Sequence, residues 1–199
     1  MQKLLIASNN SGKLLEIKNL LKNLPIVLVT PGDLKLGIQI KEDGSTYQAN
    51  AQKKSSEFAK RSGLVTLADD SGLEVDALGG KPGIHSARIT KKKETNDADR
   101  RIHLLNLLKG YTQPWTAQFR CVVAIASPSE RTYFFEGLCK GEIIPEEHGE
   151  YGFGYDPIFF LPELNKTMAQ LSLPQKNEVS HRAKAINKAK ATILELLRE

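Results

Sequence analysis

The chain has 199 residues, with 28 lysines and arginines against 23 aspartates and glutamates. A share of 40% hydrophobic and 26% charged residues is typical of a globular protein with a sizeable core, and it excludes a disordered chain. No apolar run approaches the roughly 20 residues of a membrane-spanning helix, and the first residues become polar too early for a secretory signal. Because Cys121 and Cys139 cannot form a disulfide framework, we expect buried thiols in a reducing cytoplasm.

The net charge of +5 leaves open what the basic side chains do. The densest positive cluster is Lys91-Lys92-Lys93, and Glu94 follows it directly. We expect either a solvated basic surface or a site for small polyanions such as nucleotide phosphates. A nucleic-acid-binding protein is the weaker alternative, because no aromatic side chain accompanies the cluster.

The first part of the chain alternates between apolar runs and helical patterns. Buried strands are predicted at 3–8, 26–30 and 64–68. Between them, helices are predicted from about 12 to 24, where Pro25 ends the pattern, and from 45 to 61. This alternation predicts an α/β protein with helices flanking a sheet.

The remainder of the chain has a different character. Residues 78–86 are rich in glycine and proline and predict a loop. A helix follows, with Asn96 or Asp97 as its cap. Its apolar side is predicted to consist of Ile102, Leu104, Leu105, Leu107 and Leu108.

Two long antiparallel strands, 115–127 and 131–144, are predicted to be joined by a Ser-Pro-Ser-Glu turn. The chain ends with a helix from about 180 to 197. With no repeat or obvious linker, the sequence predicts a single domain over 1–199, in one or two lobes around a mixed sheet.

A polar stretch separates the first strand from the first helix. It consists of Ser8, Asn9, Asn10, Ser11, Gly12 and Lys13. At the carboxyl end of a strand, the free N–H groups of a helix start and a lysine charge suit a phosphate. The stretch is not a Walker A loop, because it lacks the first glycine and has Leu14 where Ser or Thr is required. The alternative is a helix cap with a solvated lysine.

Two adjacent acids, Asp69 and Asp70, follow the apolar run that ends at Ala68. Carboxylates near a core need a positive partner, and Mg²⁺ is the usual partner where phosphates bind. A carboxylate here could also deprotonate a water molecule. Glu42 is a possible second carboxylate. The alternative is an Asx-turn at the end of the strand.

Two later segments carry further candidates. Glycines and aromatic residues interleave from Gly152 to Pro157, which suits either a loop that approaches a flat ligand or an ordinary turn. Arg182 opens the last helix, and its donor-only guanidinium suits a carbonyl acceptor such as O6 of a 6-oxopurine. The alternative is an exposed arginine, although a cation at this end of a helix opposes the helix dipole.

Nearly the whole chain resembles the inosine/xanthosine triphosphate pyrophosphatase family. Four segments carry the resemblance and occur in the order in which the family has them: SNNSGK, LADDSGLEVDALGGKPGIHSARI, GFGYDPIF and SHRAKA. The resemblance implies an elongated mixed sheet with two lobes around a central cleft, and a homodimer. It also implies Mg²⁺-dependent hydrolysis of ITP, dITP or XTP to the monophosphate and pyrophosphate, with no nucleic-acid or membrane partner.

The resemblance also implies roles for individual residues. Asp70 would be the catalytic base and a metal ligand, and Glu42 a second metal ligand. Ser8 to Lys13 and Ser71 would bind the substrate, and Lys54 would reach the phosphates. The base and sugar would be held by Phe153, Gly154, Tyr155, Asp156, Lys176, His181 and Arg182.

Two positions depart from the family pattern E-E-T-G-x-T-F-x-E-N-A. Lys41 and Ala49 stand where acids are usual, so Asp43 is the alternative second metal ligand. Arg182 alone cannot exclude GTP, since guanine also carries O6. The sequence does not identify the residues that would prevent GTP from binding. A nucleotide pyrophosphatase with another base preference is therefore the main alternative function.

Overall fold

The computed structural model describes residues 2–90, 96–129 and 131–198. The predicted basic cluster Lys91-Lys92-Lys93, with Glu94, lies outside the described residues, and so does Glu130 of the predicted turn. Over the described ranges, every helix is too short or too polar to cross a bilayer.

The described residues form eight strands and five α-helices. The strands are β1 (Lys3–Ile6), β2 (Val27–Val29), β3 (Thr66–Val75), β4 (Lys81–Pro82), β5 (Trp115–Ala126), β6 (Thr132–Ile143), β7 (Phe159–Leu161) and β8 (Lys166–Thr167). The helices are α1 (Ser11–Leu21), α2 (Tyr47–Ser62), α3 (Asp97–Leu108), α4 (Leu173–Val179) and α5 (His181–Leu196).

The strands form a mixed sheet in the order β2-β1-β3-β5-β6-β7-β8, with β4 paired to β3. Strand β1 runs parallel to both β2 and β3. The pairs β3–β4, β6–β7 and β7–β8 are antiparallel. The predicted α/β class with a mixed sheet and flanking helices is therefore confirmed.

The chain divides into two compact units. Unit 1 comprises Met1–Asp70, Cys121–Gly137 and His181–Glu199, and unit 2 comprises Ser71–Arg120 and Leu138–Ser180. The single domain and the central cleft expected from the sequence stay predictions.

The core of unit 1 packs α1 and α5 against the sheet. Ala185, Ile186, Ala189 and Ile193 of α5 recur at helical spacing and are fully buried. They pack with apolar residues of β1, α1, β3 and β5, including Cys121, which is a buried thiol as predicted. Small side chains on α5 allow its backbone to approach the sheet closely, and Gly137 of β6 lies at that approach.

The core of unit 2 packs α3 against strand residues that include Phe119 and Phe159, whose ring centroids lie 4.4 Å apart. The predicted cap is confirmed, since Asn96 and Asp99 form a capping box at the start of α3. The predicted apolar side is partly wrong. Ile102 is 56% exposed and Leu107 is 45% exposed, because only part of the apolar set faces the core.

Strand β3 differs most from its prediction. The pattern places its end at Ala68, whereas the structure continues it through Asp69 and Asp70 to Val75. The alternative of an Asx-turn at the end of the strand is therefore wrong. The strand continues because the positive charges of Lys13 and Arg182, both in unit 1, compensate the negative charge of Asp69. The sequence also missed β7, β8 and α4, and the predicted loop 78–86 contains β4 and the start of a 3₁₀ turn, Gly83–Arg88.

Replacing Gly137 by alanine should destabilise the protein strongly. An ideal Cβ at this position would lie 2.0 Å from the carbonyl oxygen of His181 and 2.6 Å from the amide nitrogen of Ala185. Both are backbone atoms of α5, so we expect a loss of about 3 kcal/mol, at the upper end for overpacking. Urea unfolding measures it.

Gly110→Ala is the matched control, because nothing lies within 4 Å of its ideal Cβ. We expect its free energy of unfolding to stay within about 0.5 kcal/mol of the parent chain. Equal stabilities for the two variants would contradict the close approach of α5 to β6.

Candidate active site

The polar stretch before α1 forms a helix cap, as its alternative interpretation predicted. Oδ1 of Asn10 accepts the N–H of Lys13 at 2.9 Å, and the N–H of Asn10 donates to Oγ of Ser8 at 3.2 Å. The lysine is not solvated, however. Its ammonium lies 3.0 Å from Oδ2 of Asp69, and its side chain is only 16% exposed. The cap thus holds Lys13 at the start of the helix, where it meets a buried carboxylate.

Asp69 is a buried anion inside β3, with 1% of its surface exposed. Burial alone would raise the pKa of its carboxyl group, but the charges of Lys13, Arg182 and Lys54 outweigh burial and hold the pKa well below its ordinary range. Its other oxygen, Oδ1, is buried without a hydrogen-bond partner among the described residues.

Arg182 is also buried, with 1% exposure, so the alternative of an exposed arginine is wrong. Its guanidinium donates from Nε to Oδ2 of Asp69 at 3.2 Å and from Nη1 to Oε2 of Glu16. Buried charges persist when each has a partner of opposite sign. Lys13 and Arg182 thereby balance Asp69 and Glu16, and we call these four residues the buried ion cluster.

Asp70 follows Asp69 directly but has a different environment. The residue is 6% exposed, and Oδ2 of its carboxylate accepts a hydrogen bond from Nδ2 of Asn50 at 2.9 Å. Burial raises the pKa of Asp70, and the opposing effects of Asn50, Lys13 and Lys54 only partly offset it. A carboxylate with a raised pKa is a better proton acceptor than an ordinary one.

Lys54 of α2 joins Glu42 to the same strand. Its ammonium donates to Oε1 of Glu42 at 2.6 Å and to the carbonyl oxygen of Asp69 at 2.7 Å. Burial would lower the pKa of Lys54, but Asp69 and Glu42 outweigh it and raise the pKa, so the side chain stays a cation. Glu42 thus reaches the neighbourhood of Asp69 and Asp70 through a shared lysine.

The segment before Glu42 explains why this acid points inward. Its even-numbered apolar residues pack on a core cluster of unit 1, and they are Leu34, Leu36, Ile38 and Ile40. Glu42 continues this two-residue period and is half-buried, whereas Asp43 pairs with Lys53 at the surface, where both side chains are more than 40% exposed. The geometry therefore favours Glu42 over Asp43 as the second carboxylate.

The carboxylates fit a magnesium ion that a substrate helps to hold. Among the described residues, no group of three or more His, Cys, Asp and Glu side chains could hold a metal ion. Mg²⁺ usually needs only one or two carboxylates plus substrate oxygens. Asp70 and Glu42 are two such carboxylates, and Oδ1 of Asp69 is a buried acceptor for which the described part of the chain supplies no hydrogen-bond partner.

In unit 2, the predicted ligand loop is organised around Asp156. Its Oδ2 accepts the N–H of Phe153 at 2.8 Å and an ammonium proton of Lys176. The same ammonium lies 5.1 Å from the centroid of the Phe153 ring, within cation–π range. Gly152 has a φ of 77°, and an ideal Cβ there would lie 2.1 Å from Asp156, so only glycine fits.

Three further hydrogen bonds anchor the same loop. The hydroxyl of Tyr155, which is 5% exposed, donates to the carbonyl oxygen of Ser86 at 2.8 Å. The N–H of Gly154 donates to Asp97 at 2.7 Å, and its carbonyl oxygen accepts from Arg101 at 2.9 Å. Tyr155 is therefore an anchor within unit 2, which leaves Phe153 as the less buried ring of the loop.

The structure thus brings together part of the predicted site. Within unit 1 these residues are Lys13, Glu42, Lys54, Asp70 and Arg182. His181 is buried at the start of α5, and Ser71 is half-buried in β3. Sequence reasoning missed Glu16 and Asn50. One feature of the sequence could have indicated Glu16, because this acid stands next to the buried apolar positions of α1. For Asn50, the only indication was its place in the family pattern E-E-T-G-x-T-F-x-E-N-A.

The fold and the site define an α/β protein in which Lys13 and Arg182 hold the carboxylate of Asp69 on β3, and Asn50 holds the carboxylate of the adjacent Asp70. The Ham1 family model matches residues 4–192. The chain therefore belongs to the Ham1 family, and the resemblance found in the sequence is confirmed.

Relatives and solved structures agree with this assignment. A protein of Desulforamulus reducens named dITP/XTP pyrophosphatase is 47% identical over 188 residues, which cover 94% of this chain and 93% of that protein. One of the same name from Geobacter sulfurreducens is 44% identical over 186 residues, 94% of each chain. The structure of the Staphylococcus aureus Ham1 protein matches with a TM-score of 0.85 and 42% identity, covering 98% of this chain and 99% of that one. The structure of a HAM1 protein from Coxiella burnetii matches with a TM-score of 0.87 and 37% identity, covering 98% of this chain and 100% of that one.

Replacing Glu16 by glutamine should destabilise the protein by about 3 kcal/mol, because it removes one charge from a buried pair and leaves Arg182 undercompensated. Urea unfolding at neutral pH measures the loss.

The matched control is Glu57→Gln, which removes one charge from an exposed i,i+4 pair with Arg61 at 3.4 Å. This variant should stay within about 0.5 kcal/mol of the parent chain. If the two substitutions cost the same, Glu16 and Arg182 do not form the buried pair described above.

Proposed function

We propose that this protein is a nucleoside triphosphate pyrophosphatase that hydrolyses the non-standard purine nucleotides ITP, dITP and XTP to the monophosphate and pyrophosphate. The observation that carries the proposal is the position of Asp70 on β3. It directly follows Asp69, whose side-chain Oδ2 lies 3.0 Å from the ammonium of Lys13 and whose carbonyl oxygen accepts from Lys54 at 2.7 Å. Membership of the Ham1 family and the names of the curated relatives support the same reaction.

In the proposed reaction, Asp70 acts as the general base. Its carboxylate takes a proton from the water that attacks the α-phosphorus. The bond between that phosphorus and the bridging oxygen then breaks, and pyrophosphate leaves with the electron pair. A buried carboxylate whose pKa is raised suits this role, because its affinity for the proton is higher than that of a solvated aspartate.

Lys13 and Lys54 are proposed to hold the triphosphate. Both ammonium groups are largely buried and are fixed by Asp69 and Glu42, so they offer charges at defined positions to phosphate oxygens. The residues Ser8 to Gly12 and Ser71 are proposed to add hydrogen bonds. Mg²⁺ is the proposed cofactor: held by Asp70 and Glu42, it would neutralise charge on the phosphates.

The family resemblance supports the proposal that seven residues hold the base and sugar. They are Phe153, Gly154, Tyr155, Asp156, Lys176, His181 and Arg182. Arg182 donates to Asp69 and Glu16 through two of the five N–H groups of its guanidinium, so a contact with O6 would use a different N–H group. The family resemblance also supports a cytoplasmic homodimer that binds no nucleic acid.

A magnesium-dependent pyrophosphate-release assay over ITP, XTP, dUTP, GTP and ATP tests the proposal. We expect release from ITP and XTP and much slower release from the other three. Asp70→Asn should lower turnover of ITP by at least about 100-fold with the fold intact, because the general base is lost. Equal rates on all five nucleotides would contradict the preference for ITP and XTP. An active Asp70→Asn variant would contradict the role of Asp70 as the general base.

The same assay distinguishes the two candidate second ligands. Glu42→Gln should raise the Mg²⁺ concentration needed for half-maximal rate, whereas Asp43→Asn should leave it unchanged, since Asp43 pairs with Lys53 at the surface. The opposite result would assign the second ligand to Asp43.

A further inference from the structure

We infer that Asn50 is a positioning residue of this site, which orients the carboxylate of Asp70 and ties it to the segment that carries Glu42. This inference rests on the proposed function and deepens it. Its basis is the pair of hydrogen bonds that the Asn50 side chain makes inside unit 1.

Asn50 lies on α2 and is 1% exposed. Its Nδ2 donates to Oδ2 of Asp70 at 2.9 Å, and its Oδ1 accepts the N–H of Gly44 at 2.8 Å. A backbone N–H can only donate, so Gly44 requires the oxygen of the amide. The amide nitrogen must then face Asp70. The orientation of the amide is fixed by this network.

The chemical type of the partner distinguishes Asp70 from Asp69. Lys13 and Arg182 hold Asp69 through their charges. Asn50 instead offers Asp70 a neutral donor, which orients the carboxylate without adding a further cation to Lys13 and Lys54, whose charges already act on Asp70. One amide donor takes up one of the roughly four acceptor positions of a carboxylate.

Gly44 makes the second half of the bridge possible. An ideal Cβ on Gly44 would lie 2.7 Å from Oδ1 of Asn50 and 2.9 Å from Cβ of Ala49. A larger residue would therefore push the segment away from Asn50. Gly44 comes two residues after Glu42, so the bridge from Gly44 through Asn50 to Asp70 sets the spacing of the two proposed metal ligands.

Two variants of Asn50 test this role. Asn50→Asp has nearly the same shape and keeps an oxygen for Gly44, but it replaces the donor by a second carboxylate facing Asp70. Asn50→Ala removes both bonds. We expect kcat on ITP to fall by about 10- to 100-fold in each, the scale of one hydrogen bond to a charged group. KM should change by less than about threefold, because Asn50 contacts Asp70 and not the substrate.

Gln52→Ala, an exposed position on the same helix, is the matched control and should keep the parent rate. Urea unfolding establishes that each variant is folded at the assay temperature. A second readout needs no turnover, because the product pyrophosphate supplies phosphate oxygens in place of the substrate. The rise in melting temperature that Mg²⁺ and pyrophosphate together produce should be smaller in Asn50→Ala than in the parent chain and in Gln52→Ala.

The outcomes separate the two proposals. Folded Asn50 variants with the parent kcat would overturn the role of Asn50 while leaving the proposed function in place. The same holds if the variants lose only stability. A parent chain that releases no pyrophosphate from any of the nucleotides would overturn the proposed function, and the inference about Asn50 with it.

Discussion

The ion pairs of Asp69 with Lys13 and Arg182 are the interaction on which the site depends. An uncompensated charge in a protein interior costs several kcal/mol, so this carboxylate can lie inside β3 only while α1 and α5 supply their cations. Glu16 gives Arg182 its second carboxylate. The pairs that make the charge tolerable therefore also hold the start of α1 and the start of α5 in place within unit 1.

The same arrangement gives two neighbouring carboxylates opposite properties. Asp69 is surrounded by cations, and its pKa is lowered despite complete burial. Asp70, one residue further, accepts from the neutral amide of Asn50, and burial raises its pKa. The two side chains are chemically identical, so their opposite pKa shifts arise from their environments, and the proposed general-base role of Asp70 rests on that difference.

Apolar periodicity predicted β1, α1, α2, β5, β6 and α5, because burial of one face is a local property of the sequence. The end of β3 could not be predicted in this way. A charged pair normally ends a buried strand, and the partners that allow Asp69 to continue it are distant in sequence. Motifs identified Lys13, Lys54, Asp70 and Arg182 as candidates, and their roles stay predictions. They could not identify Glu16 and Asn50, whose importance follows from tertiary contacts alone.

The most direct test of this account is an NMR titration of the carboxyl carbons of Asp69 and Asp70 in the intact protein. The account predicts that Asp69 stays ionised throughout the pH range in which the protein is folded, and that Asp70 titrates above the ordinary value of 3.8. Since the folded pKa of Asp69 lies below the unfolded one, its ion pairs stabilise the fold above the unfolded pKa, and this contribution is lost as the pH falls toward the folded value. Titration of Asp69 at or above 3.8, or of Asp70 below it, would contradict the account.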